Sequence, residues 1–283
     1  MNLQLHKTAL KDNDLKIVLT QIKSGEKNWL EVDRLSIVQA MFAHIGSTDP
    51  ELRDQLIYTS FYRMIIEDNL IEPENLKKLL FKSINELLHK GIGESGTDSV
   101  FTRTFTTLLI ALILYRDNEE SFLTQEDIDQ VKHELIHYIN EEIDLRGYVP
   151  YKGWAHSIAH VADTFDELVK SPKISQELYS EILHPLWKKM LVSESTYIHQ
   201  EDERMVTPII EMLDRGLSEQ EVITQVQALP AELKAQKEHL DEEKYWFLVF
   251  NSKAFLKSFY MKLNEYSKFS SLQESIQQCL REI

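Results

Sequence analysis

The chain has 283 residues, 43% of them hydrophobic, one cysteine, and a formal net charge of -15 from 31 Lys+Arg against 46 Asp+Glu. That apolar share suffices for a sizeable core, and with Cys279 alone neither an intrachain disulfide nor a cysteine-rich zinc cluster can form, which fits a reducing, cytoplasmic setting. The negative charge repels phosphate backbones and anionic lipid, so nucleic acid and membrane partners are disfavoured.

Along the chain, the N-terminal MNLQLHKTALKDNDLK lacks a basic segment followed by an apolar run of signal-peptide length. From Leu52, LRDQLIYTSFYRMI places apolar residues at three- and four-residue spacing, and IDQVKHELIHYI from Ile128 does the same. Between them LLIALILY, residues 108–115, is too short to span a bilayer and suits a buried core helix. No convincing strand competes with the helical pattern. Asp49-Pro50, Glu72-Pro73, Thr124 with Asp127, and Ser218 with Glu221 are helix-start signals, and about eleven or twelve helices are expected. The paired acidic residues, Glu141-Glu142 and Glu201-Asp202-Glu203 among them, read as solvated polar faces.

Long helices are expected to open near Asp49, Thr97, Lys152 and Gln200, about every fifty residues, each followed by a second helix from near Pro73, Thr124, Ile174 and Ser218. The expected architecture is all-α: helical hairpins repeated as an α/α superhelix of the HEAT or armadillo kind, or a partial α/α toroid, in a single domain over residues 1–283. Such stacks line a concave face with one helix of each pair. Arg53, Arg103, His156 and Arg204 stand just after the four openings, so neighbouring helix starts would assemble a site of Arg, His and carboxylate there.

The most informative stretch is KGWAHSIAHVAD, from Lys152. On a helix His156, His160 and Asp163 share one stripe, and two histidines one turn apart can chelate zinc or, with a carboxylate, iron. The same residues also suit a structural polar network, the plainer account, or a ligand site. No glutamate follows His156, so a further ligand or base would come from His199, Glu201, Asp202 or Glu203. Trp154, after Gly153, suits a wedge between elements or a stacking platform. In the preceding loop, DLRGYVPYKGW, Arg146 and Tyr148 could reach across the mouth of the concavity. The glycine-rich GIGESGTDS follows a helix and lacks GKS or GKT, and reads as a flexible connection.

Two other stretches carry chemistry. EDER puts Glu203 and Arg204 in an opening turn, where an arginine is disfavoured by the helix dipole and calls for a carboxylate partner or an anionic ligand. HELIH matches the HExxH zinc-protease pattern literally through His133, Glu134 and His137, but without a sheet or third ligand it reads as coincidence on an amphipathic helix. Neither GxSxG nor SxxK marks a serine nucleophile, and Cys279 has no histidine near it in sequence.

FTRTF from Phe101, DLRGYV from Asp144, GWAHSIAHVAD from Gly153 and EDER from Glu201 together resemble an uncharacterised bacterial family of unknown function, along almost the whole chain. The resemblance implies a bacterial, cytoplasmic, helical protein and brings no activity with it. The functional expectation is a noncatalytic helical-repeat protein binding a small anionic ligand or a peptide through Arg103, Arg146, Trp154, His156, His160, Asp163, Glu203 and Arg204. Two alternatives stand beside it. One is a hydrolase holding a divalent metal such as zinc on His156, His160 and Asp163, with Glu201 or Glu203 as base. The other is an interaction scaffold whose polar residues only lock its hairpins together.

Overall fold

The computed structural model describes residues 10–266 and 268–283. Most of the N-terminal segment read for a leader, residues 1–9, lies outside them. Twelve helices form among the described residues. They are α1 Asp12–Ser24, α2 Arg34–Ala43, α3 over 51–67, α4 over 73–88, α5 Ser99–Glu120, α6 Gln125–Glu141, α7 Ser157–Lys170, α8 Tyr179–Met190, α9 Glu201–Asp214, α10 Glu219–Gln236, α11 Glu242–Leu263 and α12 Ser270–Glu282. Parts of α3 and α4 widen to π-helical turns, at Glu51–Tyr58, Arg63–Glu67 and Ile84–Leu88.

Local signals set most of the starts. Asp49 Oδ1 accepts the backbone N–H groups of Glu51 and Leu52, Pro73 occupies the first turn of α4, and Thr124 and Asp127 close a reciprocal capping box on α6. The opening expected near Lys152 is a correction. There the chain makes a two-residue antiparallel hairpin, β1 Tyr148–Val149 paired with β2 Gly153–Trp154, and α7 begins only at Ser157. The cause is backbone geometry: Tyr151, Gly153 and His156 all have positive φ, at 65°, 77° and 52°, which no right-handed helix accommodates.

The first helices of successive pairs pack on one another, α5 on α7, α7 on α9 and α9 on α11, while α6 meets α8 and α10 meets α12. Tertiary hydrogen bonds repeat the same offset. Lys77 to Asp127, Gln125 to the Lys173 carbonyl, Lys132 to Glu181 and Lys244 to Glu194 each join residues 48 to 50 apart. One contiguous cluster of buried apolar side chains runs from Leu15 to Cys279.

Helix α5 lies in the middle of this packing and is buried on nearly every side, including Thr104, Thr106 and Thr107. Whole, it is long and apolar enough to cross a membrane, a property the eight-residue run did not suggest, yet 83% of its apolar window is covered by protein. The GIGESGTDS loop is also pinned in place. Arg103 donates to the carbonyls of Lys90 and Gly91, Arg146 donates to that of Thr97, and Gly96 N–H donates to Asp144.

Candidate functional site

The hairpin and the starts of α7 and α9 form one aromatic and polar cluster. Trp154 stacks on the His156 ring at 4.8 Å between centroids and 22° between planes, with Tyr148 and His199 set edgewise at 5.2 and 5.3 Å. Two glycines permit this. A Cβ at Gly147 would lie 2.2 Å from His199 Nδ1, and one at Gly153 would lie 2.8 Å from Pro50 Cβ and 3.1 Å from Arg53 Nη2. Arg53 clamps the hairpin from below: Nη2 donates to the Lys152 carbonyl at 2.8 Å and Nη1 to the Ser47 carbonyl at 2.7 Å, while its guanidinium packs over Phe101 and Phe105. The platform is thus held by hydrogen bonds and packing from below, and Tyr148, Tyr151 and Trp154 remain exposed on it.

Beneath the platform, His156 Nε2 sits 2.9 Å from the His199 carbonyl and 3.5 Å from Glu201 Oε1. A carbonyl only accepts, so Nε2 carries the proton. Glu201 also accepts the His199 backbone N–H at 2.8 Å. Burial raises the Glu201 carboxyl, but the bonds from His156 and from backbone N–H groups outweigh it and hold the group below its ordinary value.

His160 lies one turn into α7, edge-on to Phe105 and His156, with Nδ1 buried and unpartnered. Burial, with smaller electrostatic contributions from His156, Arg204 and Arg53, pushes it well below the usual imidazole range, so it is neutral. Asp163 is gripped by Arg204, whose Nε donates to Oδ1 at 2.7 Å and whose Nη2 donates to Oδ2. Burial still raises the Asp163 carboxyl against the pull of that guanidinium.

Every arginine singled out in the sequence has its own carboxylate. Arg53 Nε lies 2.8 Å from Asp54 Oδ1, and Arg146 donates to both oxygens of Asp144 at 2.8 and 2.6 Å. Arg103 is wholly buried and makes a two-pronged pair with Glu142, at 2.7 and 2.9 Å. A ligand cannot reach Arg103, whose role is to join α5 to the end of α6. Glu142 and Glu201, taken from sequence as surface acids, are instead buried. Glu203 is exposed at the start of α9, outside the His156 cluster, and Asp202 bonds Ser258.

His156, His160 and Asp163 do not close into a metal-sized group among the described residues. His156 stands before α7 with a left-handed backbone, not within it, and Asp163 is turned to Arg204. The carboxylates Glu142 and Asp144 were missed as partners; in sequence their one signal was proximity to Arg146, which also failed to single out Arg103 as the ion pair of Glu142.

A family model described as Protein of unknown function (DUF2785) matches residues 88–261, from the end of α4 into α11. The chain belongs to that family. The matched region of this DUF2785 chain holds the hairpin, the Trp154 platform and the whole His156–Glu201 and Asp163–Arg204 network. No curated protein and no solved structure matches the chain.

Proposed function

We propose that this DUF2785 protein is a noncatalytic, cytoplasmic scaffold of stacked helical hairpins, of the HEAT and armadillo kind, that binds a peptide bearing a basic side chain on the Trp154 platform. The packing of alternate helices and the recurrent fifty-residue offset of the hydrogen bonds support the stacked-hairpin reading. The observation that carries the binding reading is the exposed aromatic array of Tyr148 and Trp154, fixed by Arg53 and backed by His156 and His199. An aromatic face attracts a cation, and a net charge of -15 favours a basic partner from a distance. A small anion is less favoured, because Arg53, Arg103, Arg146 and Arg204 are each compensated by a carboxylate.

Fluorescence anisotropy with labelled oligo-arginine and oligo-glutamate peptides tests the reading. The arginine peptide is expected to bind, and Trp154→Ala to weaken it about fivefold or more, the equivalent of about 1 kcal/mol. Equal or better binding of the glutamate peptide, or a Trp154→Ala variant indistinguishable from wild type, would overturn it.

A further inference from the structure

The HELIH stretch of α6 takes a different part from the one its pattern suggests. His133 and His137 do not work as a pair. His133 lines a groove of about 630 Å³ between α6 and α8 with Lys132, Glu181, His184 and Lys188, whereas Glu134 and His137 meet His89 at the end of α4. The helix geometry explains the split: position 134 lies to one side of position 137 and position 133 to the other, and α4 arrives on the side of 134.

His89 Nε2 lies 2.8 Å from Glu134 Oε2, and the His89 and His137 rings approach to 4.8 Å between centroids. One donor atom from each of His89, Glu134 and His137 falls within 4.8 Å of the others, among the described residues the one such trio of histidine and carboxylate groups. His89 leaves the helix at the C-cap of α4, with φ -105° and ψ 14°, which turns its ring toward α6. Its Nδ1 is buried without a partner, so apart from Glu134 the surrounding protein makes no hydrogen bond to this imidazole.

We propose that His89, Glu134 and His137 bind one divalent first-row transition-metal ion, with zinc as the best match. Two imidazoles and one carboxylate are a preferred donor set for such ions, which need donor atoms separated by about 3.3 Å around bonds of about 2.1 Å. The His89–Glu134 edge is already close to that spacing, and an ion takes the place of the proton between them. His137 is exposed and closes the remaining gap by rotating its side chain. The bound ion ties the end of α4, where the loop that Arg103 pins begins, to α6. In this arrangement Glu134 is a ligand and His133 is not, which separates the site from the HExxH protease plan, where the glutamate stays free as a base. With three protein donors, a position remains open toward solvent at His137.

Isothermal titration calorimetry with zinc chloride on the full, untagged chain tests the site. Wild type is expected to bind one equivalent and to melt at a higher temperature with zinc than without it. His137→Ala, which alters an exposed side chain, and Glu134→Gln should each weaken binding at least about tenfold, since even groups outside a coordination sphere carry that much. His133→Ala and His160→Ala should bind as wild type does. Absence of zinc binding, unchanged binding in His137→Ala and Glu134→Gln, or loss of binding in His133→Ala would overturn the proposal.

Discussion

Arg103 and Glu142 are both fully buried, and their attraction is useful only while both are present. Removing the glutamate leaves a guanidinium in the interior with no carboxylate, the situation that costs most among ion-pair losses. Glu142→Gln is therefore expected to lower unfolding free energy by about 3–5 kcal/mol, read by urea denaturation. His160 makes a prediction of pH dependence. Its pKa in the folded protein is pushed well below the 6.5 of a free imidazole, first by burial and then by His156, Arg204 and Arg53. The unfolded chain takes up this proton as pH falls through that value and the folded chain does not, so stability drops until the folded pKa is reached. His160→Asn should lose less melting temperature than wild type between about pH 7.5 and about pH 5.5. An equal loss in both would mean that His160 is not the group responsible.

The hairpin between α6 and α7 holds Trp154 where a helix would have turned it away. Its geometry depends on Gly153, at φ 77° and against Pro50 and Arg53. Gly153→Ala combines left-handed strain with that clash, and about 1–3 kcal/mol of stability should go with it, measured by the same denaturation. Oligo-arginine binding should weaken in step, because the Trp154–His156 stack is displaced. A variant that keeps wild-type stability would show that the hairpin relaxes freely. The sequence displayed DLRGYVPYKGW as a loop but not as a hairpin, because two residues per strand are too few to establish an alternating pattern. The α6 capping box, by contrast, was legible, since Thr124 and Asp127 bond each other's backbone across one turn.

For the molecule as a whole, the sequence by itself determined the all-helical class, the positions of most helix starts, the roughly fifty-residue spacing and the likeness to a family of unknown function. These follow from local chemistry: apolar periodicity and caps act over three or four residues, and a family likeness resides in short motifs. Only the tertiary structure decided which charges meet. Arg103 finds Glu142 and Arg204 finds Asp163, 39 and 41 residues apart, and His89 reaches Glu134 from 45 residues away. Likewise it withdrew His156 from the helical stripe and hid Glu142 and Glu201 that a surface reading had left in water. Charge and polarity identify residues able to form such contacts, but partner choice depends on which helix ends the hydrophobic core brings together, and a buried charge must find its counter-charge wherever packing leaves one.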